Sequence, residues 1–476
     1  MADAADLGVL EAAELLRARQ LSSAELTEAC VQRIEQRNGG PPTLDGAPDA
    51  VNAWVRLYPN LAREQATKAD ERRAREGDAT PPLCGIPIGV KDLYAVQGLP
   101  LTASSRVLDP DPPAAKDCVA WAALRANDMV LLGHTHTHEF AAGGTTDQVG
   151  NPHALNLIAG GSSGGSAAAL AARMTPVALG SDTCGSLRIP SACCGTCALK
   201  PTHGRISLDG IVPLGPSLDH PGPMARTVAD CAAVLQAMAA GTAAVTPLLP
   251  PPAQMGTLPV AARSGTSPLD GVTVALTDRV THNQMEDDVT RGYEQAIAAC
   301  ERLGARVIEI AAPARLDWDD LSAVLMTEVW AYHRAHTDRH DRYREQVAEF
   351  IEAASNFTDE ETYAAAQTRR SELTAIWERW FAEHGVDAVL EPTLPILPIK
   401  RGPGYERGYP AGPGDPLIAF TALWDMTGMP VVALPVTWSV GMSLAAPRGN
   451  EARLTQIAID LQEHALGVPG DPLAQA

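Results

Sequence analysis

Clustered positive charge is scarce in this chain of 476 residues: 37 Lys and Arg stand against 57 Asp and Glu, a net charge of −20. A nucleic-acid footprint needs Lys and Arg to displace counterions from phosphates, and an anionic membrane surface asks for the same sign of charge. The composition therefore predicts neither nucleic acid nor membrane as a partner. A run of about 18 apolar residues, the length that spans a bilayer, is also missing. The opening "MADAADLGVLEAAELLRARQ" lacks the basic stretch and apolar run of a secretory signal, so a cytoplasmic location is expected. The nine cysteines are an odd number without the spacing of a disulfide framework. One C-x-x-C occurs, Cys194 and Cys197, but no second pair or histidine pair completes a zinc site. Reduced thiols packed as small apolar residues are expected, with no metal and no cofactor. No internal repeat is visible.

Apolar residues at 45% and charged residues at 20% describe an ordinary globular protein with an ample core. The first ninety residues carry helical periodicity. "LSSAELTEACVQRIEQRNGG" has Ser22 and Ser23 as cap candidates, Glu25 three residues after Ser22, and Gly39 past the end. From "LCGIPIGVKDLY" onward, short apolar strands alternate with helices, as in "MVLLGHTHTHE", "SAAALAARM" and "TPVALGSD". That alternation predicts an α/β layer architecture. Residues 240–270, rich in Pro, Ala, Gly and Thr, read as a long surface connection. Residues 316–384 read as heavily helical, and "VDAVLEPTLPIL" as a late strand.

Three stretches carry chemistry. The first, "GGSSGGSAAALAA" (160–172), sits too close to apolar strands for a linker and lacks the Lys-Ser or Lys-Thr of a phosphate loop. Gly161-Ser162-Ser163-Gly164-Gly165 formally satisfies G-x-S-x-G, with Ser163 in the nucleophile place of an α/β-hydrolase elbow. An elbow wants a strand running into its turn, whereas the preceding "NPHALNLIAG" reads as a loop. The second, "GSDTCGSLRIP" (180–190), ends a buried strand in a loop of small residues whose N–H groups can converge on an oxyanion. Taken alone, a plain strand-to-loop turn is the favoured reading of it. The third is Lys91 in "GIPIGVKDLY", at the end of an apolar strand. A buried lysine either is structural or, with its pKa lowered by desolvation, becomes a usable base.

In this order, Lys91, "GGSSGGS" and "DTCGSLRIP" resemble the amidase signature family. The resemblance extends over nearly the whole chain through "LSSAELTEACVQRI", "GHTHTHEFA", "ALGSDTCGSLRIPSACCGTCALKPTHGRIS", "SLDHPGPMARTVAD" and "FTALWDMTGMPVVALPV". It implies one large α/β domain over 1–476, a twisted mixed sheet with helices on both faces. Residues 80–235 would form its signature core, and 316–384 an inserted helical lid. It implies a Ser–Ser–Lys triad: Ser186 as nucleophile, Ser162 beside a cis peptide as bridge, and Lys91 as base. It also implies an oxyanion hole from the N–H groups of Thr183, Cys184, Gly185 and Ser186, supported by Ser163, Asp182 and Arg188. Cys184 stands where the family usually has glycine, which could narrow the pocket for the acyl group. Cys197 likewise replaces a usual glycine and reads as packing. The alternating His134, His136 and His138 would share one face of a strand. They occupy the family's "GKTN"-like strand end, so structural or pocket-lining roles are expected, with His138 a candidate for pH dependence near neutrality.

The resemblance leaves the substrate open among amides, carbamates and urea-like compounds. Aromatic and aliphatic residues dominate the segments expected over the site, which nominates Tyr94, His138, Leu321 and Trp424 as pocket residues. An uncharged aryl amide or carbamate (urethane), or an ester, is the preferred substrate of a monomeric or homodimeric enzyme. Two alternatives stand beside this. One is the glutaminase subunit of a tRNA-dependent amidotransferase, disfavoured by the acidic balance and by "KDL" where that branch usually has "KDN". The other is the α/β-hydrolase-type esterase with Ser163 as nucleophile.

Overall fold

The computed structural model describes residues 3–109, 111–239, 267–402 and 414–473. Most of the connection expected at 240–270 lies outside the described residues.

Among the described residues, eleven strands form one mixed sheet. In chain order with the two-stranded ribbon included, the strands are β1 Trp54–Leu57, β2 Pro87–Lys91, β3 Val130–Thr135, β4 Gly150–Asn151, β5 Ala154–Ile158, β6 Val177–Asp182, β7 Cys197–Lys200, β8 His220–Ala225, β9 Thr273–Leu276, β10 Arg306–Glu309, β11 Ala388–Pro392, β12 Val431–Pro435 and β13 Gly441–Ala445. The sheet runs β1-β3-β2-β6-β8-β7-β12-β13-β11-β9-β10. β2 lies parallel to β3 on one side and to β6 on the other, while β8, β7, β12, β13 and β11 alternate antiparallel. Strands covered on both faces need no polar alternation, and β2, β3 and β6 are buried at every position.

Local signals explain several covering helices. Ser23–Arg37 is opened by a capping box: the Glu25 N–H donates to Ser22 Oγ (3.1 Å) and the Ser22 N–H to Glu25 Oε2 (2.8 Å). The segment expected as a lid, 316–384, is helical over Trp318–His333, Glu345–Ala354 and Glu360–His384. A second apolar cluster joins Trp377, Trp380 and Phe381 of the last of these to Trp424 and to β9, β11, β12 and β13. No helix among the described residues is long and apolar enough to cross a membrane.

Two expectations are corrected here. "NPHALNLIAG" is not a plain loop, because β4 and β5 form a small antiparallel ribbon apart from the main sheet. The histidines do not alternate along one strand face, because β3 ends at Thr135 and only His134 lies on it.

Candidate active site

Lys91 is the last residue of β2, and Asp182 the last of its parallel neighbour β6. The loop leaving β6 turns at once into the helix Arg188–Cys194, and a second loop, which follows β5 of the separate ribbon, turns into the helix Gly164–Ala171. Open α/β sheets present their ligand crevice at such carboxyl ends.

The serine loop approaches other backbone closely, which is what its glycines allow. A Cβ on Gly161 would stand 1.9 Å from the Thr145 carbonyl oxygen, and one on Gly165 2.4 Å from the His136 nitrogen. The close neighbours are thus the Thr145 and His136 backbones and the Thr146 side chain rather than Lys91. The Gly161–Ser162 peptide is cis. The His138 N–H donates to Ser162 O (2.9 Å), and the Ser163 N–H to Ser186 O (3.2 Å), which ties this loop to the second.

Lys91 is fully buried among hydroxyls. Its Nζ lies 2.8 Å from Ser162 Oγ, 2.8 Å from Ser163 Oγ and 2.9 Å from Ser181 Oγ. Burial pushes its pKa down from 10.5 to about 7, against the pull of the Asp182 and Asp219 carboxylates. Ser163 Oγ donates to Ser181 O (3.2 Å), so toward Lys91 it acts as acceptor. No histidine is among the partners of Ser163 in the described residues, as an elbow nucleophile would require. A second buried lysine, Lys200 on β7, donates to Met429 O (2.6 Å) and is pushed by burial to about 8.

The Asp182 carboxylate organises the second loop. It accepts from Arg188 Nε (2.9 Å) and Nη2 (3.0 Å) and from the N–H groups of Gly185 (2.5 Å) and Leu187 (3.2 Å). Burial raises its pKa, but the Arg188 guanidinium outweighs this and holds the carboxyl at about 2. Arg188 Nη2 also donates to Asp425 (2.6 Å) and Nη1 to the Thr421 carbonyl (3.0 Å). Asp425 goes the other way: burial, then the charge on Asp182, lift it well above the usual carboxylate range. Asp219 accepts from Thr183 Oγ1 (2.6 Å) and from the Leu214 N–H (3.0 Å). Cys184 is the one described cysteine that is not fully buried. It packs on an apolar cluster containing Leu218, Leu321, Val324 and Ala422, and burial holds its thiol protonated.

Several expected positions are corrected. The Gly185 N–H points at Asp182 and is therefore withdrawn from the expected oxyanion donors. Trp424 is sealed in the second apolar cluster, 5.0 Å from Trp377, with Nε1 donating to Glu391 (3.0 Å). Tyr94 is fully buried and its hydroxyl donates to Gly180 O. Leu321 is buried in the cluster behind Cys184. His134 Nδ1 pairs with the Tyr58 hydroxyl (3.0 Å), and His136 lies between Ser104 Oγ (3.1 Å) and Thr43 O (2.9 Å), its pKa taken by burial to about 3. His138 lines a cavity of about 790 Å³ shared with Glu139, Arg344 and Arg401. Cys194 and Cys197 donate to different carbonyls, Ala159 O and Arg226 O.

Ser181, Thr421, Asp425 and Asp219 escaped the sequence reading. Thr421 and Asp425 did leave a signal, since residues four apart on a helical turn share a face.

Residues 25–455 match the amidase family. The chain is 32% identical over 495 residues to a glutamyl-tRNA(Gln) amidotransferase subunit from Cupriavidus taiwanensis, covering 95% of both. It is 40% identical over 314 residues to the protein of the same name from Roseiflexus castenholzii, a match that covers 64% of this chain but 60% of that relative's length. Its structure is similar to that of 6-aminohexanoate cyclic dimer hydrolase, with a TM-score of 0.82, 26% identity and 98% of each chain covered. The chain belongs to the amidase signature family and is a hydrolase of amide-type C–N bonds.

Proposed function

We propose that this enzyme cleaves an uncharged amide or carbamate through an acyl-enzyme on Ser186, with Lys91 as base and Ser162 as relay. The observation that carries the proposal is the setting of Lys91. It is a buried amine that no carboxylate among the described residues hydrogen-bonds, brought near pH 7 and surrounded by serine hydroxyls. A neutral amine has two N–H groups and one lone pair. With the N–H groups on Ser163 and Ser181, the lone pair faces Ser162 Oγ. Lys91 takes the Ser162 proton as Ser162 takes that of Ser186, and Ser186 Oγ bonds to the substrate carbonyl carbon. The N–H groups of Thr183, Cys184 and Ser186 are the donors proposed for the oxyanion. The C–N bond breaks as the proton returns through Ser162 to the leaving nitrogen, and water, deprotonated by the same relay, releases the acid.

The neutral wall formed by Cys184 and the cluster behind it favours an apolar group in the substrate. We propose a cytoplasmic enzyme of one or two copies working on a small molecule. A second reading has a specific observation behind it: relatives at 32% and 40% identity are amidotransferase subunits. In that case the substrate is glutamine, and a protein complex with tRNA is the partner. The purified chain alone, given para-nitroacetanilide, an aryl carbamate and glutamine, separates the two, with Ser186→Ala as the blank. Turnover of the aryl substrates and not of glutamine is expected. Glutamine turnover only with added partner subunits would favour the second reading. Full activity in Ser186→Ala with loss in Ser163→Ala would overturn the assignment of the nucleophile.

A further inference from the structure

The peptide unit joining Cys184 to Gly185 is held at both ends. Its carbonyl, Cys184 O, accepts from Thr421 Oγ1 (2.5 Å), and its amide, the Gly185 N–H, donates to Asp182 Oδ1 (2.5 Å). A trans peptide directs its C=O and N–H to opposite sides. One orientation of the plane therefore satisfies both bonds, and a flip breaks both. The fit is close: a Cβ on Gly185, whose φ is +132°, would stand 2.5 Å from Thr421 Oγ1. Thr421 is itself fixed to the loop, because its carbonyl accepts from Arg188 Nη1, and Asp425 one turn later accepts from Nη2 of the same guanidinium. The Thr421 hydroxyl has a longer alternative at Leu417 O (3.4 Å), the usual back-bond of a helical threonine, but lies closer to the loop.

The held peptide lies between two N–H groups proposed to receive the oxyanion, those of Cys184 and Ser186. A carbonyl turned toward that point would set a partial negative charge against the one that builds there. We infer that Thr421 is a positioning residue for acyl transfer. Its hydroxyl keeps the Cys184 carbonyl turned away from the oxyanion, across a separation of 237 residues in the chain. The inference rests on the acyl-enzyme reading of Ser186.

The test compares Thr421→Val, which keeps the branched shape and removes the hydroxyl, with Thr421→Ser, which keeps the hydroxyl. Thr421→Ala serves as the deletion variant should the valine not fold. Steady-state kinetics on para-nitroacetanilide should show kcat falling by about tenfold to about a hundredfold without the hydroxyl, somewhat less than the loss of a direct oxyanion donor. KM should stay within about twofold of wild type, the signature of an interaction expressed in the transition state. Thr421→Ser should recover most of kcat, and the pH midpoint of kcat/KM should not move, because Lys91 is untouched. An unchanged kcat in the deletion variant, an equal loss in Thr421→Ser, or a loss confined to KM would each overturn the inference. Activity retained in Ser186→Ala would instead remove the reading on which it rests. An inactive Ser186→Ala beside a fully active deletion variant would refute the role of Thr421 alone.

Discussion

Replacing Lys91 by methionine, which keeps the length of the side chain and removes the amine, isolates what burying a titratable group costs. In the native state burial holds Lys91 at about 7, and in the unfolded chain it returns to its ordinary 10.5. Between those values the unfolded chain binds a proton that the native protein does not, so native stability rises with pH. Below about pH 7 both states are protonated and the penalty is constant, roughly 5 kcal/mol for a shift of this size. Integrated, it is about 4 kcal/mol at pH 7 and about 2 kcal/mol at pH 9. The stability of wild type relative to Lys91→Met should therefore improve by about 2 kcal/mol over that interval. The three lost serine contacts add an offset, but the difference cancels every other titrating group, Lys200 included. Urea unfolding followed by tryptophan fluorescence, on both proteins from about pH 6 to about pH 9, measures the difference. The same ionisation should set the ascending limb of wild-type kcat/KM near pH 7, because only the neutral amine accepts a proton. A difference constant to within about 0.5 kcal/mol, or a limb centred above about pH 9, would refute the burial argument.

Two further outcomes concern residues expected at the walls of the site. Cys184→Gly removes a neutral side chain beside Ser186, so in a series of acyl anilides the kcat/KM ratio of bulky to small acyl groups should rise by about tenfold. An unchanged ratio would show that the thiol faces the core and not the substrate. Trp424→Ala should destabilise the fold by about 3–5 kcal/mol, since it empties a sealed cluster and strands Glu391 without its indole donor. Urea unfolding reads that loss, while the relative kcat/KM of two substrates should stay at the wild-type value. A changed preference with little loss of stability would return Trp424 to the pocket.

The parts of the fold legible in the sequence are those whose cause is local. The capping box at Ser22 and Glu25, the apolar run of β2 and the helical periodicity around 360–384 each lie within a few turns of chain. Sheet order is not of that kind. Ser181 contacts Lys91 because β6 lies beside β2, and no spacing between residues 91 and 181 encodes that neighbourhood. The same distance hid Thr421 and Asp425, which reach the loop from the far end of the chain. Aromatic content misled in the opposite direction: "LWDMTGMP" looked like a pocket wall because of Trp424, whereas Asp425 beside it touches the loop and the indole fills the core. The histidines failed for a simpler reason, since β3 stops one residue before His136, and the alternation that would align the rings stops with it.

Charge bookkeeping around β2 and β6 explains how an amine can stay near neutrality with a carboxylate at the end of the neighbouring strand. Asp182 is close enough to Lys91 to pull its pKa upward. An ion pair between them would hold the amine charged and useless as a base. That pair does not form, because Asp182 spends its oxygens on Arg188 and on the Gly185 and Leu187 N–H groups. The guanidinium is the stronger partner: it stays charged at any working pH and matches a carboxylate with two parallel donors. Arg188 therefore acts on two groups at once. It fixes the loop that carries Ser186, and by occupying Asp182 it leaves Lys91 hydrogen-bonded, among the described residues, to neutral hydroxyls alone. Desolvation then decides the state of the amine, and in that setting it favours the neutral form that the proposed proton transfer from Ser162 requires.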